Sequence, residues 1–185
     1  MNTRFHRIAS ATLLLSSLLG AQSLLAANIS RPDYTAGKER ISADAKAGKA
    51  TCKALAGNAR DICNAEATAK EKVAMAELEF SHTGTRKDQD RIVTVKADTT
   101  YAVAKERCDD KTGNDKDVCV KEAKAVQTKA LADLKLSQKV GAARTDAATD
   151  KRDADYKVAA EKCETLAGGA KTSCITAAKA QFGKS

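Results

Sequence analysis

The feature that most constrains this chain is a twelve-residue block that begins and ends with cysteine and occurs three times. The blocks read CKALAGNARDIC, CDDKTGNDKDVC and CETLAGGAKTSC, and together they hold all six cysteines. In each block the fifth residue after the first cysteine is glycine, so the two cysteines lie at equal distances from a turn. Antiparallel helices joined by that turn place the cysteines opposite each other. We therefore predict three disulfides, Cys52–Cys63, Cys108–Cys119 and Cys163–Cys174.

The neighbours of the cysteines satisfy the steric demand of such bonds. A disulfide brings its Cα atoms to about 4.4–6.8 Å, closer than the roughly 8–10 Å between ordinary helix axes. One helical turn outward from each cysteine the residue is glycine or alanine, namely Gly48, Ala67, Ala104, Ala123, Ala159 and Ala178. This pattern favours a structural role for the disulfides. Thiol–disulfide exchange, the alternative, requires an accessible cysteine of low pKa.

Glycine and capping residues mark the ends of the helices. Ser30 and Asp33 form a predicted capping box around Pro32, and the first helix is expected to end near residue 56. Glycine is predicted to terminate the first helix of each hairpin, and asparagine with aspartate to begin the second in the first two hairpins. The predicted turn and cap residues are Gly57, Asn58, Asp61, Gly113, Asn114, Asp117, Gly168 and Gly169.

Together these signals predict an all-α, elongated protein of three antiparallel helical hairpins in tandem, each held by one disulfide. The expected repeats are residues 28–84, 85–140 and 141–185, since the first cysteines of the blocks are 56 and 55 residues apart. The first linker, Phe80 to Thr85, has loop composition, and His82 within it is expected to be exposed. The second linker, Ser137 to Gly141, has weaker signals. Two helices, or one long bent helix, are both compatible with it.

Residues 1–27 have the pattern of a secretory signal peptide. Arg4 and Arg7 precede a short apolar run, and Ala26 and Ala27 offer a small-residue cleavage site. The apolar run falls short of the roughly 20 residues that a membrane-spanning helix requires. We expect cleavage near Ala27, a periplasmic location with no membrane-spanning segment after signal removal, and an oxidising compartment in which disulfides persist.

Composition narrows the classes of function. The formal net charge is +8, and removal of Arg4 and Arg7 leaves 30 basic against 24 acidic residues. This modest surplus is spread along the chain, unlike the focused patches of nucleic-acid-binding proteins, so no nucleic acid is expected as a partner. After loss of His6 the chain retains one histidine, His82. A histidine-based metal site or catalytic cluster is therefore not predicted, and no cofactor is implied.

Several segments carry a resemblance to a known family. The matching features are the repeated Cys-x10-Cys blocks, the turns GNARDIC and GNDKDVC, and the segments EKVAMAELEF, YAVAKERC, VCVKEAKAV and AAKAQFGKS. By these features the chain resembles a family of uncharacterised exported proteins of Gram-negative, chiefly betaproteobacterial, origin. Its members are often called cell-envelope biogenesis proteins similar to TolA. The resemblance spans the chain after residue 27, implies a role in the cell envelope and transfers no catalytic residue.

The sequence therefore predicts a non-enzymatic periplasmic helical repeat protein. It is expected to act as a structural or interaction module of the cell envelope, with coiled-coil-like helices and an envelope protein or an anionic envelope component as its partner. A periplasmic chaperone-like or anionic-ligand-binding protein is the alternative. No oligomeric state follows from the sequence.

Overall fold

The structure is a computed structural model that describes residues 28–185. Residues 1–27, to which the signal-peptide prediction applies, lie outside the described residues. The described chain forms five helices, α1 (Arg31–Cys52), α2 (Gly57–Thr83), α3 (Arg86–Cys108), α4 (Gly113–Cys163) and α5 (Gly168–Phe182). None of these helices combines the length and the apolar composition needed to cross a membrane.

The predicted all-α fold of disulfide-linked hairpins is confirmed. The three bonds are Cys52–Cys63, Cys108–Cys119 and Cys163–Cys174, and their Cα atoms lie 5.6, 5.7 and 5.7 Å apart. They join α1 to α2, α3 to α4, and α4 to α5. Gly48 and Ala67 show why small neighbours are needed, because a Cβ built on Gly48 lies 3.6 Å from the Ala67 Cβ.

The turns inside the hairpins differ in detail from the prediction. Helix α1 ends at Cys52, four residues before its predicted end, because bonds from Lys53 N to Ala50 O and from Leu55 N to Cys52 O tighten its last turn. Gly57 has a left-handed φ of 54° but stands at the start of α2, where Ala56 is the N-cap residue and no side chain caps the helix. The same arrangement recurs at Gly113 and Gly168, with φ of 55° and 56°.

The linker between α2 and α3 reverses the chain because both of its ends are capped. Gly84 closes α2 in the left-handed conformation, with a φ of 63°, and its N–H donates to Phe80 O. The Thr85 hydroxyl then accepts from Asp88 N at 3.1 Å and begins α3. Ser30 and Asp33 begin α1 in the same way, as predicted, with Ser30 Oγ accepting from Asp33 N at 3.2 Å.

The second linker forms no turn, so the alternative of one long helix is the one that the structure shows. Helix α4 runs for 51 residues, which corresponds to about 77 Å. Gly141 is followed by Ala142 and Ala143, which cannot cap a new helix as Thr85 does after Gly84. The Thr145 hydroxyl donates to Gly141 O within the helix. Because no cap residue follows Gly141, the helix continues through this glycine.

The five helices form an open array one helix thick. Within residues 28–185 each helix packs only against its neighbours in sequence, so α1 does not reach α3. Helix α3 packs on the N-terminal half of α4, where Gln127 Nε2 donates to Asp98 at 2.7 Å. Helix α5 packs on the C-terminal half, where the rings of Tyr156 and Phe182 meet edge to face at 6.5 Å. Between these two contacts, residues 142–152 of α4 are exposed throughout.

The interior of this array is built from small side chains. The buried apolar residues are Ala45, Cys52, Ala67, Ala76, Ala97, Cys108, Cys163 and Ala178. Cys52, Cys108 and Cys163 are each 1% exposed and are the largest side chains that are fully buried in the described chain. Because little apolar area is removed from water, the disulfides carry an unusually large share of the stability.

Candidate functional site

A concave surface with an apolar floor lies between α2 and α3. This α2–α3 groove has a volume of about 510 Å³. Small and β-branched side chains, among them Ala69, Val73, Ala74, Val103 and Ala104, form its floor. Antiparallel helices that meet through alanine approach closely, and their larger side chains diverge above the contact. The groove is therefore a direct result of the alanine-rich composition of α2 and α3.

A second groove runs beside the first on the same face of the array. It lies between α1 and α2, has a volume of about 350 Å³ and is lined by Ile41, Gly48 and Ala67 among others. Lys70 and Ala74 line both grooves. Helix α2 therefore separates the two grooves, which lie side by side on a face of the array that spans α1, α2 and α3.

The rim of the α2–α3 groove is predominantly cationic. Lys96 pairs with Glu77 at 2.7 Å, and Arg107 pairs with Glu66 at 2.6 Å, so both cations are partly neutralised. Lys70 is exposed and forms no ion pair with any residue of 28–185 that the structure describes. The residues that line the groove thus include three cations, Lys70, Lys96 and Arg107, and one carboxylate, Glu77. Such a rim attracts acidic groups.

Contacts at both ends hold the groove open. At one end Asn58 Nδ2 donates to Glu106 O at 2.9 Å and to Asp110 Oδ1 at 2.8 Å, which joins the turns of the first two hairpins. Asn58 was predicted as a cap residue, and the structure places its amide in this contact between hairpins. At the other end the capped linker joins α2 to α3. The groove is thus positioned before any ligand arrives, which lowers the entropy cost of binding.

The linker end of the groove is fixed by hydrogen bonds to two aspartates. The hydroxyls of Thr83 and Thr85 each donate to Asp88 Oδ2 at 2.6 Å and hold the pKa of Asp88 below its usual value. Gln138 Nε2 donates to Asp90 at 2.9 Å, and this bond with the Arg86 ion pair lowers the pKa of Asp90. Gln138 belongs to α4, so this contact also anchors α4 to the start of α3.

His82 was predicted to be exposed in a loop, and this prediction is wrong. It lies in the last turn of α2, is half-buried, and stacks on Tyr34 with 4.6 Å between ring centroids. Its Nδ1–H donates to Ile29 O at 2.9 Å. The Tyr34 hydroxyl donates to Glu79, which raises the pKa of Tyr34. The segment before α1 thereby closes over the end of α2, a long-range contact that no local signal around His82 indicates.

The predicted turn residues lie apart from the groove floor. Gly113, Asn114 and Asp117 surround the second turn, and Gly168 and Gly169 the third, all exposed. Sequence reasoning did not find the groove itself. The sequence signal that could have indicated it is the position of Ala69 and Val73, which lie on α2 away from the side that carries Cys63 and Ala67 and packs against α1.

Comparison with known proteins adds no assignment, because no protein-family model, curated protein or solved structure matches the chain. Among residues 28–185 no group of three or more His, Cys, Asp or Glu side chains is arranged to hold a metal ion. Function is therefore inferred from the geometry of the groove.

Proposed function

We propose that this protein is a non-enzymatic, periplasmic interaction module of the cell envelope, and that the α2–α3 groove holds a segment of a partner protein. The observation that carries the proposal is an apolar, alanine-floored groove with a cationic rim, pre-positioned between helices of a one-layer array. Apolar grooves between helices accept the apolar face of an amphipathic helix. The cations at Lys70, Lys96 and Arg107 favour a partner segment in which acidic residues flank the apolar anchors.

Three disulfides and an alanine-rich interior support the periplasmic part of the proposal. Disulfides form and persist in oxidising compartments. A chain with few large buried side chains depends on them for its fold, and this dependence suits a protein that leaves the cytoplasm. The resemblance described above points to the same compartment.

The direct test is retention of an envelope protein by the oxidised protein and by two matched charge variants. Lys70→Glu reverses the unpaired cation of the groove rim, and Lys72→Glu makes the same change at an exposed residue of α2 outside both grooves. We expect K70E to weaken retention about tenfold and K72E to leave it unchanged. Equal effects of the two variants, or none from K70E, would refute the groove as the binding site.

A variant in which a large side chain fills the α2–α3 groove tests the proposal independently. Thr100 is exposed and lines the groove, so Thr100→Trp occupies its volume without burying a polar group. The natural chain contains no tryptophan, and the fluorescence of the introduced indole therefore reports on the groove directly. We expect T100W to abolish retention of the partner at unchanged helix content.

Binding of an anionic ligand is the second candidate, and the same cationic rim favours it. Salt distinguishes the two, because exposed charge pairs are screened while contacts between apolar surfaces are not. Retention that disappears entirely in high salt, and that T100W leaves intact, would identify an anionic ligand. Retention that survives in salt but is lost in T100W would identify a protein segment.

A further inference from the structure

Helix α4 carries a continuous row of exposed side chains, one of which, Asp133, also lines a groove between α3 and α4. We call it the α4 stripe: positions recurring every three or four residues from Val118 to Lys162, all of them exposed. Leu136, Val140 and Val158 belong to it and are 61%, 40% and 56% exposed. Their spacing keeps them on one side of the helix. The row passes through residues 142–152, which have no helix packed against them.

The internal repeat relates the α4 stripe to the contact between α2 and α3. Adding the 56-residue period to positions of α2 gives the first half of α4, and adding the 55-residue period to positions of α3 gives its second half. Helices α2 and α3 pack antiparallel through Glu77–Lys96 at 2.7 Å and Glu66–Arg107 at 2.6 Å. The equivalent pairs on the stripe are Asp133 with Lys151 and Glu122 with Lys162. Both pairs keep the sign of the charges.

The correspondence extends beyond these two pairs. Val73 and Thr100, which line the α2–α3 groove, are uncharged, and their equivalents Lys129 and Asp155 form a further pair of opposite charge. Phe80 corresponds to Leu136. Helix α4 therefore holds both sides of an α2–α3-like interface, at the two ends of one rigid rod.

The two sides cannot meet within one molecule while α4 is continuous. Asp133 and Lys151 are 18 residues apart, which is about 27 Å along a helix. A second copy running antiparallel solves this geometry. The pairs 133–151, 122–162 and 129–155 are all centred on residue 142, so a single two-fold axis there satisfies every pair twice.

We propose that the protein forms an antiparallel dimer in which the α4 stripes of two copies pack against each other about Ala142. Val140 of one copy lies beside Arg144 of the other, and the small Ala143 and Ala147 allow close approach near the axis. The dimer repeats the α2–α3 contact at both ends of α4. It also covers residues 142–152, whose isolated helix is otherwise exposed on every side.

A zero-length carbodiimide cross-link tests the register. Heavy-isotope and light copies of the full, exported and oxidised protein are mixed, and amide links are mapped by mass spectrometry. We expect an Asp133–Lys151 link that joins a heavy to a light chain. Links only between chains of the same label would show that α4 breaks and folds back, and absence of the link would show no such contact. Either result overturns the proposal.

Charge reversal tests the interface in solution by sedimentation equilibrium. Lys162→Glu places Glu beside Glu122 twice per dimer and is expected to raise the dimer dissociation constant about tenfold. Lys135→Glu, the same charge change at an exposed position on the opposite side of α4, leaves the dissociation constant unchanged. The double variant E122K/K162E restores it to within about threefold.

A further variant acts on the apolar residues of the α4 stripe. L136D/V158D, at exposed positions that do not affect folding of the hairpins, is expected to abolish the dimer. A monomer at all concentrations, or a dimer indifferent to both K162E and L136D/V158D, would contradict the proposal.

Discussion

Removal of single disulfides tests what holds the first and the third hairpin together. The two disulfides are alike, while the helices that they join differ. Each bond closes a twelve-residue loop, for which the loop-entropy relation gives about 3 kcal/mol. We consider the double variants C52A/C63A and C163A/C174A. Each loses the same entropic contribution, so any difference between them comes from the remaining contacts of α1 and of α5.

Those remaining contacts differ strongly. Helix α1 is 22 residues long, and Lys49 pairs with Glu71 at 2.8 Å while Tyr34 contacts both Glu79 and His82. Helix α5 has 15 residues, contributes only Ala178 to the buried apolar residues, and contacts α4 beyond the disulfide mainly through Phe182, while Lys184 just after the helix pairs with Asp153. An isolated helix of this length is marginal in water. We therefore expect α5 to detach in C163A/C174A and α1 to stay folded in C52A/C63A.

Amide hydrogen exchange measures this difference directly. A loss of about 3 kcal/mol corresponds to faster exchange by roughly a hundredfold for the amides of α5 in C163A/C174A. The amides of α1 in C52A/C63A lose the same contribution and should accelerate by a similar factor, but they should keep measurable protection because the side-chain contacts of α1 remain. Protection of α5 in C163A/C174A that equals the wild type, or a complete loss of α1 protection in C52A/C63A, would refute this explanation of what holds each hairpin.

Three further predictions concern packing, capping and pH. Gly48→Ala is expected to raise the free energy of unfolding by about 0.5–1 kcal/mol, since the new Cβ has room at 3.6 Å from the Ala67 Cβ. Gly48→Leu is too large for this space and should lower the free energy of unfolding by about 1–3 kcal/mol. Calorimetry that gives the same sign for both variants would contradict this reasoning. Thr85→Ala removes the N-cap of α3 and should cost about 1 kcal/mol in denaturant unfolding, with an unchanged midpoint counting against the cap. The lowered pKa values of Asp88 and Asp90 mean that their contribution is present above the ordinary pKa of 3.8 and is lost as pH falls through their folded pKa values. Stability should therefore decline in acid below about pH 4, and Asp88→Asn should flatten that decline.

The hairpins were predictable because their signals are local and repeated. Each cysteine pair is symmetrical about its turn, and Gly48, Ala67 and their equivalents supply the room that a disulfide needs. The break between α2 and α3 was also predictable, since Gly84 and Thr85 stand together in the sequence, although residues 80–83 of the predicted loop belong to the last turn of α2. These features depend on backbone geometry within a few residues, which is where sequence patterns are most informative.

Other features depend on contacts that sequence spacing does not encode. The position of His82 is set by Tyr34 and Ile29 of the preceding segment, about fifty residues away. Helix α4 continues past Gly141 because no side chain after this glycine caps a new helix. Asn58 carries the chemistry of a cap residue, yet its amide finds better partners in the next hairpin at Glu106 and Asp110.

The proposed role of the α2–α3 groove is tested most directly by photo-cross-linking in living cells. A photoreactive amino acid is placed at position 100, inside the groove, and in a matched variant at position 72, on α2 outside both grooves. We expect a covalent adduct with one envelope protein from position 100 and none from position 72. Adducts of equal yield from both positions, or none from position 100, would contradict the proposed role.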